Sequence, residues 1–157
     1  MTHRAHAKRG CRGLGLAAVA LLGCAACAVP RWPVAAPVIS PFGVRREGGW
    51  LPRLHEGVDL GAPAETPVHA LLDGRVRFAG QRGGWGRVVL LEHPGGWTSV
   101  YAHLAAVLVR TGERVRRGQP IGRVGQSGNA TTPHLHFELW RHGRPVDPVA
   151  WLGPPRP

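Results

Sequence analysis

The sequence predicts an all-β fold: an antiparallel sheet or sandwich forming a single domain. Three observations predict it. Glycine and proline supply 23 and 15 of the 157 residues. That density disfavours long helices, and the glycines show no collagen period. From Val38 onward, apolar runs of four to six residues recur, each closed by Gly or Pro, the pattern of short strands joined by tight turns. The run His134–Leu139 alternates strictly between polar and apolar side chains, as a half-buried strand does. A hydrophobic fraction of 43% suffices for a packed core, and the length limits the chain to one domain.

In chain order, residues 1–23 read as a signal peptide. Arg4, Lys8, Arg9 and Arg12 precede the apolar stretch Leu14–Gly23, with no acidic residue among them. A basic start, about ten apolar residues and then small ones make an export signal, and the run falls short of the roughly 20 residues a membrane span needs. Leu21-Leu22-Gly23-Cys24 resembles a lipobox, which would make Cys24 the lipidated first residue. Ala26-Cys27-Ala28 offers a rival cleavage site that would release a soluble protein. Residues 24–37, rich in Ala and Pro, read as a tether. The globular domain follows over 38–152, and 153–157 form a Pro-rich tail.

Within the domain, strands are expected at Pro67–Leu72, Arg75–Ala79, Arg87–Glu92, Thr98–Leu104, Pro120–Val124 and His134–Trp140. Asp73-Gly74, Pro94-Gly95-Gly96, Arg117-Gly118 and His142-Gly143 supply turns. Only Leu104–Val109 reads as a helical turn.

All three cysteines, Cys11, Cys24 and Cys27, lie in the leader, so the domain has neither disulfides nor thiolate ligands. The net charge is +11, and four of the 20 basic residues precede Cys24. The remaining excess of arginine suits an anionic envelope polymer or membrane surface. Export argues against nucleic acid, and no obligate protein partner is evident. The only lysine is Lys8, which excludes a lipoyl- or biotinyl-type carrier despite the hairpin rhythm Val115–Gly118–Ile121–Gly125.

The chemistry lies in histidine and aspartate. His134, His136 and Glu138 share one face of the alternating run; Leu135, Phe137 and Leu139 share the other. His55 and Asp59 stand an even number of residues apart, with Gly57 between them to allow a close approach. Together these pieces supply His, Asp and His, the ligand types of a catalytic zinc site with a fourth position left for water. Such a site also needs a base or a transition-state stabiliser, and His103 and His134 are the candidates. His69 and His93 have no partner by spacing and read as structural or surface residues.

In order and spacing these pieces resemble the lysostaphin-like (LytM-type) zinc metalloendopeptidases that cut peptidoglycan. The likeness runs from about Pro41 to Pro148. It includes His55-x-Gly57-x-Asp59, Thr66-Pro67-Val68-His69-Ala70, Gly84-Trp85-Gly86, Tyr101-Ala102-His103-Leu104, Gly125-Gln126-Ser127-Gly128 and Pro133-His134-Leu135-His136-Phe137-Glu138. The resemblance implies a sheet-based groove with one Zn²⁺ on its floor, held by His55, Asp59 and His136. It implies His103 and His134 as catalytic non-ligands, and peptidoglycan stem peptides or cross-bridges as substrate. Glu65, Arg87 and Thr132 stand where the family commonly has Gly, Asn and Gly. Arg45–Leu54 reads as a loop walling the groove. Some relatives have lost ligands and activate wall amidases instead; here the ligand set is complete.

Overall fold

A computed structural model of the chain describes residues 29–45 and 53–155. The signal peptide, both cleavage sites and most of the expected groove-wall loop therefore lie outside the described residues. In chain order the strands are β1 (Val38–Ser40), β2 (Gly43–Arg45), β3 (Arg53–His55), β4 (Val58–Leu60), β5 (Pro67–His69), β6 (Gly74–Gln81) and β7 (Arg87–His93). They continue with β8 (Trp97–Ala102), β9 (Leu104–Val107), β10 (Arg114–Val115), β11 (Pro120–Val124), β12 (Leu135–Arg141) and β13 (Arg144–Val146). A five-residue helix, α1 (Pro148–Leu152), follows. No helix among the described residues is long and apolar enough to cross a membrane.

The main antiparallel sheet runs β1-β4-β12-β8-β7-β6-β10, with β13 on the end of β12. A second sheet, β5-β11-β9, packs over one of its faces, and β2-β3 form a separate ribbon. The core lies between the two larger sheets. Alternation along β12 sends Leu135, Phe137 and Leu139 into it, beside Val89, Leu91 and Tyr101 from the main sheet and Val68, Leu104, Ile121 and Val124 from the other. On the opposite face β7 and β8 build a second apolar cluster of Val88, Leu90, Val100 and Ala102, with Phe78, Trp85 and Trp140 packed on it. The central strands are thus covered on both sides, which is why β7 reads as a continuous apolar run.

Three expectations need correction. Leu104–Val109 is no helical turn: Leu104–Val107 is β9, paired with β11 at Leu104↔Val124 and Val107↔Gly122. Nor are residues 29–37 all tether. The Arg31 N–H donates to the Leu71 carbonyl and the His69 N–H to that of Pro33. Val34 and Ala36 are only 3% and 5% exposed, and the Trp32 ring lies 6.0 Å from that of Phe137. Burial of one such valine contributes about 1.5–3 kcal/mol, so the domain starts near Arg31 instead of Val38. Gly153, assigned to the tail, caps α1 and accepts a hydrogen bond from Trp32 Nε1–H.

Glu65 has φ of 67°, a conformation costing an L-residue roughly 1–2 kcal/mol and open to glycine without steric cost. Its carboxylate recovers little, since its contact with Arg123 is exposed and 3.8 Å long. Glu65→Gly is expected to raise stability by about 0.5–1 kcal/mol after the extra chain entropy glycine loses on folding. Urea titration measures it, and an unchanged or lower midpoint would rule out strain at this turn.

Candidate metal centre and groove

β4 and β12 pair with Asp59 directly opposite His136, which places a carboxylate and an imidazole side by side on the sheet. Gly57 brings in the third group. A Cβ at Gly57 would stand 2.3 Å from the Phe137 carbonyl oxygen, so only glycine lets the chain cross β12 there and carry His55 back over Asp59.

His55 Nε2 lies 3.2 Å from Asp59 Oδ1 and 3.1 Å from His136 Nδ1, and the last two atoms are 2.8 Å apart. A tetrahedral ion with bonds of about 2.0–2.1 Å separates its ligands by roughly 3.3 Å, close to this triangle. The outer nitrogens are already committed. His55 Nδ1–H donates to the Pro41 carbonyl, and His136 Nε2–H donates to Glu138 Oε1. The inner atoms therefore present three converging lone pairs, a donor set that fits a divalent metal.

In the metal-free protein a proton takes that place. Burial pushes the His136 pKa down, but its bonds to Asp59 and Glu138 outweigh this and raise it to about 9. Burial raises the Asp59 carboxyl, yet hydrogen bonds from His136 and His55 hold it well below the usual carboxylate range. The folded pKa of His136 exceeds its ordinary 6.5. Its contribution to stability is therefore complete below pH 6.5 and lost as pH rises through 9. That of Asp59 is present above its ordinary 3.8 and lost on acidification. The metal-free domain should melt at progressively lower temperature between pH 6.5 and 9. A metal-loaded domain should instead gain stability up to about pH 6.5, while unfolded histidine still binds protons, and stay level above it, because metal requires the neutral imidazole. Melting curves with and without chelator check both, and a flat metal-free profile would contradict the His136–Asp59 pairing.

His103 and His134 flank the triad. Their rings are 4.9 Å apart, and the His103 ring is 5.7 Å from that of His136. His134 Nδ1–H donates to the Thr132 carbonyl, and its Nε2 lies 3.8 Å from Asp59 Oδ1. His103 joins β8 to β9 with φ of 62°, a strained setting for a non-glycine residue. Two loops hold it there: its N–H donates to the Trp85 carbonyl, and its Nδ1–H to the Ser127 carbonyl. These loops touch through glycine, since a Cβ at Gly86 would stand 2.4 Å from the Gly128 nitrogen. Burial lowers the His103 pKa, partly opposed by the Ser127 carbonyl. At neutral pH the ring is uncharged, with Nε2 as its available acceptor.

All five expected site residues thus line one groove of about 730 Å³, together with Trp85, Arg82 and Thr132. Glu138 was given no role by sequence, although the alternation placed it on this face. It is 2% exposed and accepts from His136, Trp85 and Trp140. His93 is buried, its Nδ1–H donating to the Asp73 carbonyl. Its Nε2 lies 2.7 Å from Ser99 Oγ, remote from the groove as expected.

The profile of peptidase family M23 matches residues 53–148. The chain belongs to this family. A DD-carboxypeptidase/endopeptidase, Mpg, of Neisseria meningitidis is 45% identical over 116 residues, covering 72% of this chain and 26% of its own. The murein hydrolase activator EnvC of Escherichia coli is 41% identical over 124 residues, covering 78% and 28%. The chain thus spans little more than a quarter of these curated relatives. Among solved structures, a zinc-containing peptidase from Vibrio cholerae superposes with a TM-score of 0.71 at 33% identity, over 82% of this chain and 40% of that one. Lysostaphin from Staphylococcus simulans gives 0.67 at 30% identity, over 78% and 52%. The M23 domain here therefore has peptidases and an activator among its relatives, and the all-β fold is that of M23 peptidases.

Proposed function

We propose that this M23 chain is a zinc-dependent endopeptidase that hydrolyses peptide bonds in bacterial cell-wall peptidoglycan. One observation carries the reading: a complete His55–Asp59–His136 donor set stands beside two further histidines in an open groove. Zinc there would supply Lewis-acid polarisation of the scissile carbonyl and acidify the attacking water. The chain's own residues do the rest. His55, Asp59 and His136 hold the ion, and Glu138 keeps the His136 Nδ1 lone pair turned towards it. His134 and His103 present Nε2 atoms because Thr132 and Ser127 take their Nδ1 protons. They accept and return the proton of the water and stabilise the developing oxyanion.

The chain acts in the envelope, exported by residues 1–23 and anchored through a lipid on Cys24. With the fold starting near Arg31, the leash is residues 24–30, an extended reach of about 23 Å.

Digestion of purified muropeptides by the zinc-loaded chain, with products identified by mass spectrometry, tests the activity. Stem-peptide fragments that disappear on chelation are expected. Intact substrate, together with stimulation of a wall amidase by the same preparation, would replace this reading with that of an activator.

A further inference from the structure

Past Trp85 the groove continues into a second concavity of about 280 Å³, and Arg82 and Trp85 line both. Leu90 and Val100 form its floor, Trp140 a wall and Arg77 part of its rim. Trp85 and Trp140 are fixed by a single buried group. Glu138 Oε1 accepts the Trp85 indole N–H at 3.1 Å, and Oε2 accepts that of Trp140 at 2.7 Å. Both indole donors are thus used up, and the rings offer apolar surface already held in place, which lowers the cost of ordering on binding.

Charge at the rim is one-sided. Arg77 pairs with Glu92 at 3.2 Å. The Arg82 guanidinium lies over the rings of Phe78 and Trp85, 6.0 and 5.5 Å from their centroids. No carboxylate among the described residues pairs with it. The shelf therefore suits a group with an aliphatic body and a negative end. Its position limits which group that is. Trp140 is four residues along β12 from His136, about 13 Å at strand spacing. An extended peptide advances roughly 3.3–3.6 Å per residue.

We propose that this shelf is a remote subsite for a free carboxylate carried three or four residues from the scissile bond. In a peptidoglycan stem this is the α-carboxylate of its acidic residue. Arg82 pairs with the carboxylate while Trp85 and Trp140 cover the adjoining methylenes. The inference rests on the endopeptidase reading, and it adds a recognition element that the metal centre lacks.

The test uses the full chain and cross-linked stem peptides that differ only in whether this carboxylate is free or amidated. Hydrolysis should show KM about two- to fivefold higher for the amide, the scale of one exposed charge pair, with kcat unchanged. Arg82→Gln should erase the difference. Equal KM values for both substrates, or full discrimination in Arg82→Gln, would overturn the subsite. Loss of discrimination in Arg77→Gln alone would overturn the assignment to Arg82. Calorimetric binding of the two peptides to chelator-treated protein keeps the subsite separate from the activity. Preference for the free acid without any hydrolysis would support the shelf and count against the endopeptidase. Absence of that preference would count against the shelf alone.

Discussion

His103→Ala is expected to keep its zinc and lose hydrolysis by about 10²–10⁴-fold, the scale of general acid–base assistance. His103 contributes no atom to the triangle of Nε2, Oδ1 and Nδ1, so the metal has no reason to leave. Its ring is neutral because burial lowers its pKa, and its Nδ1 proton is held by Ser127. The variant therefore removes one oriented acceptor. Because the residue has φ of 62°, His103→Asn is the better-behaved companion, since asparagine tolerates that conformation. Metal analysis and muropeptide turnover are measured together. Near-wild-type turnover in either variant would remove His103 from the chemistry, and loss of metal in both would make it part of the ion's support.

His136→Ala should abolish stoichiometric zinc binding and, with it, all hydrolysis. Two donors would remain of three, and Glu138 Oε1 would lose the His136 Nε2–H bond while keeping that from Trp85. The Glu138 carboxylate keeps the Trp85 and Trp140 indole N–H groups, so the loss is that of one charge-assisted bond, about 1.5–3 kcal/mol. His136→Gln restores a donor without restoring the imidazole, so it should recover stability and not zinc. Elemental analysis after dialysis decides the matter. One zinc per chain retained in His136→Ala would move the site elsewhere.

Much of this site was legible because its parts are local. Alternation in His134–Glu138 defines a face, and a face survives folding once its strand is buried on the other side; His55 and Asp59 meet for another reason, since they stand on separate strands, β3 and β4, joined at Gly57. What lay beyond reach was long-range. That Gly86 meets Gly128, and that their loops force His103 into a left-handed joint, follows from contacts across about 40 positions. His103 is a candidate in the sequence because a zinc site needs a base beyond its ligands, and the family resemblance agrees; periodicity alone cannot place it beside the metal. Residues 31–37 mislead because Ala and Pro are as common in linkers as in packed edges, and only their burial distinguishes the two. The turn expected at Leu104–Val109 fails because pairing with β11 outweighs local propensity. α1 carried its own signature, an Asp147 cap followed by Pro148, but five residues are too few for helical periodicity to register.

Trp32 donates to Gly153 at 3.1 Å across 121 positions, so the entry and exit of the fold are neighbours. A body with that geometry is a cassette. It can be spliced into a longer polypeptide with little loop-closure penalty, because the flanking chain is already brought together where it leaves. The groove need not deform to accommodate what is attached, so neighbouring segments can change length and sequence while the metal triangle stays the same. Curated relatives nearly four times as long as the matched portion of this chain are the kind of proteins such a cassette can inhabit.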